Sequence, residues 1–205
     1  MKLYFAPGAC SLSPHIVLRE LGLPFDLIKV DLGAKKTADG DDYTTINPKG
    51  YVPALMTNDG RVLTEGPALI QYLADRNPEA RLAPANGTFA RYQLQEWLNF
   101  ISTEIHKSFS PLFNAAMPDA AKQIYIDKLR QRFADLDVVL AKQDFLTGQQ
   151  FSVADAYLYT VLRWSSHFKI DLDQWPGLAR FFARVDARPA VQAAVDAEAA
   201  AKKAG

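Results

Sequence analysis

Cys10, the single cysteine among 205 residues, stands where a short apolar strand gives way to a helix. Leu3 to Phe5 form the strand and Ala6-Pro7-Gly8-Ala9 the loop, while Leu12, Ile16, Val17 and Leu21 recur at helical spacing as far as Gly22. Ser11 or Ser13 can cap this helix, and Pro14 falls in its tolerated first turn. Unpaired amides and the macrodipole at such a start favour an anion. They acidify a thiol and make its sulfur a nucleophile or a partner for a second thiol. A free cysteine serves equally well as a small buried apolar residue. A second helix opens at Thr64-Glu65-Gly66-Pro67, with Leu69, Tyr72 and Leu73 on one face. Glu65 and the Gly66 amide therefore mark another anion-ready start, an arrangement that plain capping also explains. Val52-Pro53 begins a strand, and a cis bond there would turn the Val52 backbone outward as an edge for a peptide-like ligand, although most X-Pro bonds are trans. Lys35 and Lys36 are cations in a polar stretch whose ordinary role is solvated surface. At about 100° per residue, Asn99, Thr103, His106 and Ser110 share a narrow helical sector with Lys107 beside it, which is either a site or a solvent face.

The elements that hold these residues follow from the pattern. Phe25 to Val30 is rich in β-formers and reads as a second strand, so the first three elements make a βαβ unit. Its right-handed crossover places the Cys10 loop at the carboxyl edge of a parallel pair, where ligands bind in such sheets. Residues 33–50 read as a polar loop with one short helix near Tyr43 to Ile46. Ala54 to Met56 and Arg61 to Leu63 form a hairpin around Asn58-Asp59-Gly60. After the breaks at Asn77-Pro78, Ala83-Pro84 and Asn86-Gly87 no strand pattern recurs, which sets a domain boundary there. Thr88 caps one long helix with Leu94, Trp97, Leu98, Ile101, Ile105 and Phe109 as its apolar stripe. A further helix carries Ile124, Leu129, Phe133, Leu136 and Leu140 and ends near Thr147-Gly148. Ser152-Val153-Ala154-Asp155 is a structural capping box opening a buried helix that Tyr157, Val161, Trp164 and Phe168 continue, and helices follow from Trp175 and from Pro189, the Ala/Lys tail fraying.

Composition excludes several classes. With 49% hydrophobic and 22% charged residues the chain can bury one large core or two smaller ones. A formal charge of zero, with no basic run beyond pairs such as Lys35-Lys36, argues against a nucleic-acid or anionic-membrane partner. No internal disulfide can form from one cysteine. The start of the chain lacks the apolar run of a signal peptide, and no stretch approaches the roughly 20 apolar residues of a membrane span. A cytoplasmic protein with small-molecule partners is expected.

Taken together, Ala9-Cys10-Ser11-Leu12-Ser13-Pro14-His15, Lys35-Lys36-Thr37, Asn47 to Pro53, Thr64-Glu65-Gly66, Trp97-Leu98-Asn99-Phe100, His106-Lys107 and the Phe151 to Asp155 box resemble the cytosolic glutathione S-transferases over essentially the whole chain, and within them the bacterial beta class. The resemblance implies an α/β thioredoxin-like domain over residues 1–77, with a mixed four-stranded sheet, and an all-α domain over 88–205. It implies glutathione as co-substrate, no metal, a homodimer, and conjugation to hydrophobic electrophiles that extend to chlorinated aromatic metabolites. Carried over position by position, Cys10 would meet the glutathione sulfur, with His106 and Lys107 approaching from the second domain. Val52 would pair with the cysteinyl backbone, Glu65 with the amino group, the Gly66 amide with the γ-glutamyl carboxylate and Lys35 with the glycine carboxylate. Asn99, Thr103 and Glu104 would complete the tripeptide pocket, Glu104 from the neighbouring subunit. Phe5, Phe109, Phe113 and Trp164 would line the site of the electrophile. Two other readings stay open: a glutaredoxin-like thiol-disulfide reductase using Cys10, and a non-catalytic binding or regulatory protein of the same fold.

Overall fold

The computed structural model describes residues 1–203. Two compact units emerge, one comprising Met1–Arg81 together with the stretch from Ala187 onward, the other Leu82–Asp186. In the first, β1 (Lys2–Phe5), α1 (Leu12–Glu20) and β2 (Asp26–Asp31) make the βαβ unit, with Leu3 opposite Leu27 in the parallel pair. β4 (Ala54–Met56) runs antiparallel to β1, Leu3 opposite Leu55, and turns through Asn58-Asp59-Gly60 into β5 (Val62–Thr64), which leads to α2 (Gly66–Asp75). The sheet has five strands where the sequence predicts four, because β3 (Lys36–Thr37) pairs antiparallel with β2 inside the stretch read as loop. Two residues carry no alternation of their own, and only the ladder offered by Val30 and Asp31 makes them a strand. Leu3, Leu18, Leu55, Leu69 and Ile70 are fully buried, and a second cluster joins Tyr4, Ala6, Val30, Tyr43, Val52 and Ala54.

The last helix, α8 (Pro189–Lys203), packs on α1 and so belongs to the first unit, not to the helical half in which the sequence boundary places it. The Ala/Lys tail expected to fray is instead helical as far as Lys203, and residues 204 and 205 lie outside the described residues.

The second unit is helical throughout its described elements. α3 (Phe89–Phe100) starts at Thr88, whose hydroxyl accepts the Arg91 amide at 3.2 Å. The single long helix expected from there is interrupted: Ile101–His106 is π-helical, followed by the short α4 (Lys107–Phe109) and a 3-10 turn at Ser110–Phe113. α5 (Asp119–Leu140), which ends before Thr147-Gly148 and leaves Ile124 of the expected stripe exposed, α6 (Val153–Leu162), a 3-10 segment over Arg163–Phe168 and α7 (Pro176–Asp186) complete the unit. At the start of α6 the Asp155 carboxylate accepts the Ser152 amide (2.8 Å) and hydroxyl (2.7 Å) and, 2.8 Å away, the Leu146 amide. This is the predicted capping box with an added tie to the preceding loop. No helix among the described residues is long and apolar enough to cross a membrane.

Candidate active site

Cys10 lies two residues before the first residue of α1, half-buried. Its Sγ donates to the Val52 carbonyl at 3.4 Å, so the thiol sits beside the backbone at the start of β4. Two influences oppose each other there. The helix start favours the thiolate, and a hydrogen bond to a carbonyl favours the protonated thiol. Neither candidate serine caps α1. Ser11 Oγ donates to the Ala6 carbonyl and accepts its amide, both at 3.2 Å, closing the loop before Cys10, and Ser13 Oγ donates to the Cys10 carbonyl at 3.1 Å. The same loop is held from α8: the Gly8 amide donates to Glu198 Oε2 at 2.9 Å. Glu198 Oε1 pairs with Nδ1 of fully buried His15 at 3.2 Å, and Arg19 Nε donates to His15 Nε2 at 2.9 Å. Because the Arg19 Nε can only donate, His15 accepts at Nε2 and carries its proton on Nδ1, facing the carboxylate. Sequence reasoning missed Glu198, an acid in an alanine-rich helix with no local signal.

The Val52-Pro53 bond is cis. The carbonyl of the preceding Tyr51 accepts from the Tyr43 hydroxyl at 2.8 Å and from Asn47 Nδ2 at 2.7 Å, which fixes the chain entering Val52. Burial pushes the Tyr43 hydroxyl up to about 12, keeping it a donor. Neither residue is among those assigned from the sequence, although both lie in or next to the polar stretch quoted for the resemblance. Lys35, at φ 56°, donates from Nζ to the Gly50 carbonyl at 3.0 Å and lies 5.6 Å from the centre of the Tyr51 ring. A Cβ on Gly50, itself at φ 66°, would come within 3.3 Å of the Lys35 stem. Glu65 holds φ 69° and ψ 111° at the start of α2, and its Oε1 accepts from Lys49 Nζ at 2.7 Å. Such backbone outliers cost about 1–3 kcal/mol each and gather at functional sites. A Cβ on Gly66 would lie 3.9 Å from Ser13 Oγ, so the two helix starts stand side by side. Cys10, Lys35, Val52, Glu65 and Gly66 thus fall at one edge of the first unit.

In the second unit the polar row is rearranged. The π-helical turn breaks the 100° step on which the row depended, since i→i+5 bonding inserts an extra residue. Asn99, Thr103 and Lys107 are exposed, with Thr103 Oγ1 bonded to the Asn99 carbonyl at 3.1 Å. His106 turns inward: its Nδ1 is 2.7 Å from the Tyr157 hydroxyl and its ring is edge-on to Trp164 at 5.0 Å. The Glu104 carboxylate meets Arg132 (2.9 Å) and Lys128 (3.3 Å) of α5, which hold its carboxyl below the usual range. Of the four aromatic residues assigned to the electrophile, Phe5 and Phe109 are 1% and 0% exposed. They are core residues without surface to offer a ligand, a correction that follows from close packing around them. Phe113 is 55% exposed, its ring edge-on to nearly buried Trp164 at 5.6 Å and to Phe168 at 4.9 Å. Among the described residues no group of three or more His, Cys, Asp or Glu side chains could hold a metal.

The family model of the glutathione S-transferase N-terminal domain matches residues 8–76, and that of the glutathione S-transferase C-terminal domain matches 100–189. The chain is 46% identical to glutathione S-transferase GstA of Escherichia coli O157:H7, covering 97% of this chain and 98% of that protein. It matches the structure of a ternary complex of BphK, a bacterial enzyme of this kind, with 57% identity and a TM-score of 0.95 over 97% of this chain and all of that one. The beta-class glutathione S-transferase of Sphingomonas chungbukensis superposes with a TM-score of 0.93 at 46% identity, covering 97% and 98% of the two chains.

Proposed function

The chain belongs to the glutathione S-transferase family, and from that premise we propose how its own residues hold glutathione and deliver the sulfur to a hydrophobic electrophile. It is a glutathione transferase with glutathione as co-substrate. The relatives do not favour the reductase or the non-catalytic module as its main role. One observation carries the assignment of the tripeptide site: the Cys10 thiol lies 3.4 Å from the Val52 carbonyl, at a helix start adjoining a second one. An extended tripeptide pairing with Val52 has its cysteinyl sulfur beside Cys10, its γ-glutamyl carboxylate on the Gly66 amide and its ammonium at Glu65. Lys35 is the cation for the glycine carboxylate. Asn99, Thr103, Glu104, His106 and Lys107 take the roles that the family resemblance assigns them, His106 as the hydrogen-bonding partner of the glutathione sulfur.

In the reaction the glutathione thiol loses its proton to solvent and the thiolate forms a carbon–sulfur bond. With a chlorinated aromatic metabolite, the electron pair of the carbon–chlorine bond leaves as chloride. Phe113, backed edge-on by the nearly buried Trp164, is the aromatic surface for that substrate. We place the protein in the cytoplasm, where reduced glutathione is maintained. We also propose a homodimer, for which Phe89 and Tyr92, 78% and 60% exposed and one turn apart on α3, supply apolar surface. Sedimentation at micromolar concentration tests it, and a monomer would refute it.

Calorimetry tests the tripeptide site, and no heat or stabilisation at several millimolar glutathione would remove it. Cys10→Ala is expected to abolish reduction of mixed disulfides and to spare part of the conjugation of an aryl chloride, whereas His106→Ala impairs conjugation more. Equal loss of both activities in both variants would overturn this division of roles.

A further inference from the structure

Lys49 is absent from every role assigned above, yet its ammonium occupies the carboxylate of Glu65 at 2.7 Å. Both ends of this pair are held by backbone. On one side the Lys49 amide donates to Asn47 Oδ1 at 3.2 Å and the next amide, of Gly50, to the Asn47 carbonyl at 2.8 Å, so the loop presents Lys49 from a fixed base. On the other, the Glu65 carbonyl accepts the Ala68 and Leu69 amides, both at 3.0 Å, anchoring a residue at φ 69°. The two side chains are 55% and 68% exposed, so water screens the pair and exchange of its cation is cheap.

We infer that Lys49 is a specificity-determining residue: it fills the ammonium position at Glu65 until the γ-glutamyl ammonium of glutathione displaces it. The inference rests on the reading of Glu65 as the ammonium partner. Its physical content is a competition of two primary ammonium groups for one carboxylate. A ligand bringing its own cation regains at Glu65 what it disrupts. A ligand without one leaves the Lys49 pair intact and gains nothing there, so Lys49 narrows the advantage that glutathione holds over such a ligand.

The test compares glutathione with its des-amino analogue, glutaryl-cysteinyl-glycine, by calorimetry on the wild type, Lys49→Met and Glu65→Gln. Lys49→Met removes the competing cation, and glutathione should bind about two- to fivefold more tightly, the range an exposed ion pair supports. The analogue should change by less than about twofold, because it never needed the carboxylate. Glu65→Gln should erase the preference for glutathione over the analogue. If it leaves that preference intact, the reading of Glu65 fails and this inference with it. If Glu65→Gln erases the preference while Lys49→Met leaves glutathione affinity unchanged or weakens it, only the role of Lys49 is overturned. Both substitutions are at exposed side chains, and unchanged thermal melting confirms that each variant is folded.

Discussion

Replacing Glu198 by alanine removes the acceptor of two donors at once, the amide of exposed Gly8 at 2.9 Å and Nδ1 of fully buried His15 at 3.2 Å, and takes the carboxylate from an Arg19–His15–Glu198 chain. Glu198 is only 4% exposed and His15 fully buried, so at His15 water cannot take over without the structure opening. Leaving the buried His15 Nδ1–H without its acceptor costs about 1–3 kcal/mol, towards the upper end because that acceptor is a carboxylate, whereas water can replace the acceptor of the exposed Gly8 amide. A loss of about 2–3 kcal/mol is expected, a substantial share of the 5–15 kcal/mol typical of a whole fold. Glu198→Gln keeps one acceptor but turns an NH2 group toward the other donor, for about 1–3 kcal/mol. Urea unfolding at one fixed protein concentration measures both, since association would shift the apparent stability. Amide exchange at Gly8 supplies a local readout and should accelerate in both variants, loosening the loop that leads to Cys10. A loss below about 1 kcal/mol for Glu198→Ala, with Gly8 exchange unchanged, would refute the claim that α8 holds this loop.

Three further outcomes are expected. Asn47→Ala deletes one of two donors to the Tyr51 carbonyl and should weaken glutathione binding up to about tenfold by calorimetry, and Tyr43→Phe, which deletes the other, should do likewise. Gly50→Ala forces a Cβ onto the Lys35 stem at φ 66°, and should cost about 1 kcal/mol or more in urea unfolding. Burial raises the Asp155 carboxyl to about 6 against the pull of its three donors, so its folded pKa lies above its unfolded value. Its contribution is therefore fully present below the unfolded pKa and is lost as pH rises through about 6. The stability of the wild type relative to Asp155→Asn should accordingly increase by about 1–2 kcal/mol from pH 7 to pH 5, and a decrease in urea unfolding would contradict it.

Local patterns in the chain determined the element order, because each rests on near neighbours: the helical spacing after Cys10, the Asn58-Asp59-Gly60 turn, the Thr88 cap and the Ser152 to Asp155 box. Motif resemblance went further and placed Cys10, Lys35, Val52, Glu65 and Gly66, which meet at one edge. What depended on distant partners was decided only by the tertiary structure. β3 exists because β2 offers a ladder, and the π-helical turn before His106 has no signature in a stripe that reads as continuous α-helix. The grip of Glu198 on Gly8 spans 190 positions and that of Lys49 on Glu65 spans 16, distances over which periodicity carries no information. Burial divided the four aromatic candidates in the same way. Phe5 and Phe113 are alike in sequence as large apolar side chains, and only packing makes one a core residue and leaves the other open to a ligand.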